Sequence, residues 1–281
     1  MKRLRIEHET GFRYSETVTA SYNEARMLPG TTDSQFVLSA NLEIRPQVPV
    51  SSYADYFGTR VSSFDVLTPH TELMITSRSL VEVRAAHADA VETTWERLAR
   101  DVERDVETVE HLAQTDRTRP HPEVADIARE IAGRHDDPAA AATAIATTLG
   151  DAVSYVRGVT GVHSTAADAW DKRQGVCQDI THLVIGGLRA AGIPARYVSG
   201  YLHPRENADI GVAVATESHA WVEYFAGGWH GFDATAGAPS GDRHVLVGRG
   251  RDYGDVPPLR GVYAGPCESE LHVRVTITRE A

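Results

Sequence analysis

The sequence has little cysteine, almost no lysine, no long apolar run and too little positive charge to balance its acids, and each shortage closes off a class of function. Its two cysteines, Cys177 and Cys267, lie far apart in 281 residues. That is neither a disulfide framework nor a set of paired metal-ligating thiols, so a cytoplasmic location is expected, where thiols stay reduced. No apolar run reaches the roughly 18 residues of a membrane helix. The opening MKRLRIEHETGFRYS has basic residues without the apolar segment of a secretory leader, so neither a membrane partner nor secretion is expected. Lysine is confined to Lys2 and Lys172, a compositional bias to which no function attaches. The formal net charge of −11 disfavours nucleic acid or an anionic lipid surface as partner, since both need a basic patch to neutralise phosphates.

What is present is ordinary for a globular chain, and its length admits two domains with cores of their own. From Arg3 to about Arg84 the runs LRIEH, GFRYS, FVLSANLEI, RVSSFDV and TELMITSRSLVEV alternate apolar and polar residues between Pro, Gly, Asn and Asp. This period of two predicts an all-β, sandwich-like N-terminal domain over residues 1–84. It holds no cysteine and is expected to hold no catalytic group. Over residues 85–119 the texture changes. Between Val91 and Gln114, Trp95, Leu98, Val102, Val106, Val109 and Leu112 form a helical stripe, which predicts one amphipathic connecting helix docked within the molecule.

Residues 120–281 read as a second domain of helices followed by an antiparallel sheet, so the fold class is α+β. PEVADIAREIAG and DPAAAATAIATTLG are helical, with Asp137 and Pro138 as cap and first-turn pair. SYVRGVTGVHSTAADAW reads as a short strand and loop. RYVSGYL, SHAWVEYF and GWHGFDAT read as strands, and ELHVRVTITRE as a final strand of this second domain.

Within it, GVCQDITHLVIGGLRAAGIPARYVSGYL places Cys177 just before a helical stripe of Ile180, Leu183, Val184, Gly187, Leu188 and Ala191. The helix spans Gln178 to Ala191, closed by Gly192 and stopped by Pro194. Its N-terminus offers free N–H groups and the positive end of the dipole, a setting that favours thiolates. A small apolar residue packed behind a Gly-Val turn is the competing reading. A nucleophilic thiol needs a base, and usually a third group to orient it. His219 opens SHAWVEYF, and the return strand ends in Asp233. With a three-residue turn, Ala226 to Gly228, Phe225 faces Trp229, and His219 and Asp233 share a face, about 7–8 Å apart as diagonal neighbours. A two-residue turn would put them on opposite faces. Asp179 and His182 share the cysteine helix, but the step from Cys177 to His182 turns about 140°. They read as a solvated or sheet-facing polar face, or else as support for the site. Trp221, Trp229 and Tyr224 read as sheet core. Cys267 has no base motif beside it.

These blocks, GVCQDITHLVIGGLRAAGIPARYVSGYL and SHAWVEYFAGGWHGFDATAG, resemble the Cys, His and Asp blocks of the transglutaminase-like superfamily, whose core resembles papain. The resemblance covers roughly residues 120–264, with Tyr155 where the family commonly carries a tyrosine. SYNEARMLPG and SYADYFGTRVSSFDV are similar to the β domain that precedes this core in a bacterial subgroup, and GRGRDYGDVPPLRGVYAG is similar to that subgroup's tail. Asp233-Ala234-Thr235 stands where the family has Asp-Pro-Thr, which can loosen the turn but leaves the carboxylate in place.

The resemblance implies Cys177 as nucleophile, His219 as general base and acid, and Asp233 as the group orienting His219. The implied reaction is thiol-dependent acyl transfer or hydrolysis on peptide or carboxamide substrates through a thioester. Water as acceptor makes a cysteine peptidase, the reading preferred here. An amine acceptor makes a transglutaminase or peptide ligase, and loss of turnover leaves a peptide-binding module. The backbone N–H of Cys177 is one candidate oxyanion donor, and Trp170 or Gln174 the other. No cofactor is implied. No metal is implied either: a zinc site of Cys177, His219 and Asp233 is chemically allowed but lacks a paired ligand motif. The expected partner is a peptide or protein substrate. A free strand edge in the β domain can also pair copies into a homo-oligomer.

Overall fold

The computed structural model describes residues 1–85 and 93–281. The expected connecting helix falls partly outside the described residues, beginning with Val91. The chain opens with β1 (Lys2–Val18), β2 (Ala20–Ala25), β3 (Gln35–Arg45), β4 (Ser51–Ala54), β5 (Arg60–Val66) and β6 (His70–Val83). Helices α1 (Trp95–Arg104), α2 (Val106–Glu110), α3 (Pro122–Ala132) and α4 (Pro138–Asp151) follow. Next come β7 (Ser154–Tyr155), α5 (Ala166–Lys172), β8 (Gln174–Gly175) and α6 (Cys177–Ala190). The rest is β9 (Ala195–Leu202), β10 (Ala213–Thr216), β11 (Ser218–Phe225), β12 (Trp229–Asp233), β13 (Ala238–Pro239), β14 (His244–Gly250), β15 (Leu259–Ala264) and β16 (Ser269–Arg279).

The fold is α+β, as the sequence pattern predicts. In β1 the alternation points Leu4 and Ile6 inward while Arg3 and Arg5 stay outside, the consequence of a period of two on a sheet with one wet face. The N-terminal strands divide between two sheets, ordered β10-β16-β1-β6-β3 and β15-β2-β5-β4. One correction follows from this order. The final strand, β16, joins the N-terminal sheet and not the core, pairing with β1 from Leu4 opposite Arg279 to Tyr14 opposite Ser269. β15 likewise pairs with β2. Inward residues Val275 and Ile277 complete an apolar cluster with Leu4, Ile6, Val81 and Val83.

The connecting helix is also corrected, because it is broken in two. Asp105 leaves helical geometry, with φ −125 and ψ 118, and its carboxylate accepts from Glu107 N at 3.1 Å as the N-cap of α2. An aspartate that can cap competes with continuing the helix. The stripe therefore loses register after the break. Leu98 and Val102 are buried, while Val106 and Val109 are 72% and 48% exposed. A further helix, α5, stands where only strand and loop were expected. Thr165 and Asp168 form a capping box at its start, a signal readable in STAAD.

The second unit packs α6 against the sheet β13-β12-β11-β9-β14, with α3, α4 and α5 packed on α6. Ile180, Leu183, Val184, Ile185 and Leu188 of α6 share one core with Ala220, Val222 and Tyr224 of β11. The buried stripe of α6 thus fixes the helix against the strand that carries His219.

Candidate active site

Cys177 is the first residue of α6 and is half-buried, with Val176 as N-cap. Val176 has no side chain able to cap, and Asp179 takes over that role. Its Oδ2 accepts from the Val176 N–H at 2.8 Å and from the Thr160 hydroxyl at 2.6 Å. A carboxylate three residues into a helix is favourable both as a reciprocal cap and for the dipole. The fit is close: a Cβ on Gly175 would lie 2.7 Å from Asp179 Cβ. Asp179 is fully buried and supports the helix end that carries the thiol, so it is not part of a solvated face.

The β11–β12 hairpin has the three-residue loop that same-face placement needs. Phe225 pairs with Trp229 and Val222 with Phe232, and Gly227 supplies the loop's left-handed residue at φ 74. His219 and Asp233 accordingly meet, with His219 Nε2 2.7 Å from Asp233 Oδ2. This leaves the other ring nitrogen for Cys177, which lies near enough to favour the charged form of the ring. The structure therefore brings together the three residues singled out in sequence.

Asp233 is wholly buried, yet every lone pair it needs filled has a donor. Oδ1 accepts from Thr235 N at 3.0 Å and Ala236 N at 3.2 Å, a turn formed without the family's proline. Oδ2 accepts from His219 and also from His244 Nε2, at 3.1 Å. Burial works against its charge, but the two imidazoles outweigh that and hold the carboxyl well below the usual range. For His219, too, burial disfavours the charged form. Asp233 and Cys177 outweigh it and push the imidazole up to about 9.

His244 was not singled out from sequence. It sits at the start of β14, and the Gly241 N–H donates to its Nδ1 at 3.1 Å. A ring whose Nδ1 accepts must carry its proton on Nε2, so His244 donates to Asp233. His219, Asp233 and His244 offer ligand atoms all within 4.8 Å of one another. A metal would need the Nε2 lone pair of His244, and the Gly241 contact places a proton there. The arrangement fits a hydrogen-bonded chain better than an ion site.

Other candidates find structural roles. Trp221 is buried, its ring stacked near His219 at 6.3 Å and set edge-on to His244 at 5.1 Å. Trp229 carries Arg196 over its face at 3.8 Å, and Tyr224 bonds Thr143. Trp170 is not free to serve an oxyanion, because its Nε1–H donates to Glu123 at 2.9 Å. Gln174 lies exposed in β8. His182 is buried against Tyr197, and its Nε2 accepts from Tyr253 N at 3.1 Å. Tyr155 pairs with Gly175 across β7 and β8 and is 43% exposed. Burial, then the nearby Cys177, raises its phenol above the ordinary value, so the tyrosine stands beside the thiol. Cys267 packs at the edge of the sandwich core.

Residues 4–82 match the family described as the bacterial transglutaminase-like N-terminal region, and residues 125–234 match the transglutaminase-like superfamily. An uncharacterized protein of Mycobacterium leprae is 41% identical over 281 residues, covering 100% of both chains. One of Mycobacterium tuberculosis is 32% identical over 293 residues, covering 98% of this chain and 92% of that one. The protein-glutamine gamma-glutamyltransferase of Pseudomonas aeruginosa is 31% identical over 156 residues, 50% of this chain but 23% of its own. Among solved structures, "a Putative Cysteine Protease from Cytophaga hutchinsonii" superposes with a TM-score of 0.77 at 21% identity, covering 99% of this chain and 97% of that one. That likeness extends the shared fold across both units.

Proposed function

Because the chain belongs to the transglutaminase-like superfamily, a family of thiol-dependent enzymes, we propose that Cys177, His219 and Asp233 form its catalytic triad and that it acts as a cysteine peptidase. The observation that carries this reading is the His219 ring, held on one nitrogen by a wholly buried Asp233 and approached by Cys177. An imidazole kept charged up to about 9 is an acid at neutral pH, able to give a proton to a departing amine.

The cysteine sulfur attacks a peptide or carboxamide carbonyl, forming the S–C bond. The C–N bond then breaks as the His219 imidazolium gives its proton to the departing amine. Asp233 retains its charge throughout and fixes the ring's orientation. Water, activated by the now neutral His219, cleaves the thioester and releases the carboxylic acid. The Cys177 N–H, at the free end of α6, is suited to receive the oxyanion.

A second reading is transfer to an amine, supported by the match over half the chain to a protein-glutamine gamma-glutamyltransferase. The thioester is common to both. The test is intact-mass measurement after brief exposure to p-nitrophenyl acetate, followed by peptide mapping. One acyl group on Cys177, absent from Cys177→Ala, is the expected result. No acylation, or acylation elsewhere, refutes the enzyme reading in favour of a peptide-binding module. Chasing the acyl-enzyme with a primary amine separates the acceptors: amide product favours transfer, free acid favours hydrolysis.

A further inference from the structure

We propose that His244 is a positioning residue: from β14 it donates its Nε2–H to the same Asp233 oxygen that holds His219, and so fixes the carboxylate in the orientation the triad needs. The proposal rests on the Cys177–His219–Asp233 reading and extends it by one residue, on a third strand.

The argument starts from the turn that opens β14. His244 N donates to Gly241 O at 3.0 Å, and Gly241 N returns a bond to His244 Nδ1 at 3.1 Å. Two bonds to one residue fix both the ring's position and its tautomer. The ring is buried, with Trp221 edge-on at 5.1 Å, so it has little freedom to turn. The Nε2–H is thereby aimed at Asp233 Oδ2, 3.1 Å away.

Asp233 needs this partner. Its backbone donors at Thr235 and Ala236 both serve Oδ1. Without His244, Oδ2 would depend on His219 alone, the group whose proton must move. An anchored neutral donor keeps the carboxylate in place when His219 gives up its proton. The titratable groups acting on Asp233 are His219 from β11 and His244 from β14, and Cys177 from α6 acts through His219. β14 is itself held from the sandwich. Gln35 Nε2 donates to Leu246 O, and Leu246 N donates to Gln35 Oε1, both at 2.8 Å.

Two substitutions separate positioning from a merely structural role. His244→Gln keeps an N–H donor at the reach of Nε2, so it preserves the contact to Asp233. His244→Asn keeps an acceptor at the place of Nδ1, so it preserves the Gly241 turn and loses Asp233. The probe is iodoacetamide, and the readout is the alkylation rate of Cys177 from pH 5 to 9. The expected result is a profile for His244→Gln within about twofold of the native one. His244→Asn should label about tenfold more slowly near pH 6, with its rate recovering at alkaline pH where no imidazolium is needed, on the scale seen when a supporting hydrogen bond is lost. If Asn labels like the native protein and Gln does not, the turn is what matters and the proposal is overturned. Nitrogen-15 NMR of histidine-labelled protein checks the premise without using the thiol. A proton on His244 Nε2 alone is expected, and a proton on Nδ1 overturns the proposal even if the triad stands. Should Cys177 show no preferential alkylation in the native protein while the tautomer is as expected, the triad reading fails instead.

Discussion

His8, buried in the β-sandwich, and His219, largely buried in the core, are imidazoles whose neighbours drive them to opposite protonation states. His8 has hydroxyls for partners, Tyr201 Oη at 2.9 Å from Nδ1 and Thr10 Oγ1 at 3.0 Å from Nε2. Burial then decides, and the ring falls to about 4. His219 meets the same burial penalty, but a carboxylate and a thiol face it, and the ring rises to about 9. The two cysteines repeat the contrast. Cys267 packs against the sandwich core near Tyr14 and Val18, while Cys177 stands at a helix start beside His219. Burial alone therefore makes an inert polar interior, and charge has to be installed by a partner.

The largest effect expected from breaking that comparison is at the thiols. Cys177→Ala should abolish acylation by p-nitrophenyl acetate, whereas Cys267→Ala should leave its rate within about twofold, because surface substitutions away from a site change little. Equal losses in the two variants would erase the contrast. Next comes Asp233→Asn, which keeps the shape and removes the charge. Turnover is expected to fall by about 10⁴-fold, as on removing the charge of the orienting carboxylate of such a triad. The same variant should move the alkaline limb of the pH–rate profile downward from near 9, because burial at His219 is then opposed by Cys177 alone. A limb that stays in place would show that Asp233 is not what holds the charge.

A smaller effect is expected where the sandwich touches the core. Gln35 bonds both backbone groups of Leu246, two residues from His244. Gln35→Leu strands those groups, so a loss of about 1–3 kcal/mol in stability is expected, measured by urea denaturation. A few-fold slower alkylation of Cys177 at pH 6 should accompany it. The stronger cut, removal of residues 1–84, would bare Tyr201, Val245, Val275 and Ile277, which share a core with Leu4 and Ile6. Failure to fold is the outcome expected there, since the sandwich is more than a solubility or substrate-choice module.

Local patterns made part of this legible. The Gly-rich turn after Phe225 marked the hairpin but left its parity open, and the three-residue loop of the structure decides it, bringing His219 and Asp233 together. The stripe on α6 set where the helix starts. The long-range pairings were not legible. Nothing in ELHVRVTITRE states that Leu4 will lie opposite Arg279, because alternation specifies a strand's face and not its neighbour. His244 was missed for the same reason. GDRHVLVG bears no local mark of catalysis, and only the bulged pairing of β14 with β9, between Leu246 and Gly248, brings it to the carboxylate. The break at Asp105 and the start of α5 were different, being cap signals present in the sequence and outweighed by periodicity.

The effect smallest at the thiol concerns His8, and it probes the inert side of the comparison. Unfolded, His8 takes a proton near its ordinary 6.5, and folded it does so only near 4. Between those values the unfolded chain binds a proton that the native one does not, so stability falls as pH drops through that window, by about 3 kcal/mol at its full extent. His111 and His182, each lowered by burial to about 3, add losses of the same sign. His219 contributes the opposite: stability fully present below 6.5 and lost as pH rises through about 9. In His8→Gln the amide can still bond Thr10 from the place of Nε2 but cannot be protonated. Its urea midpoint at pH 7.5 should lie slightly below the native one, and the two should converge or cross by pH 5 because one titrating group has gone. Alkylation of Cys177 should not change. A variant with the native acid slope would mean that His8 already exchanges with solvent in the folded state, and the inert half of the comparison would need another cause.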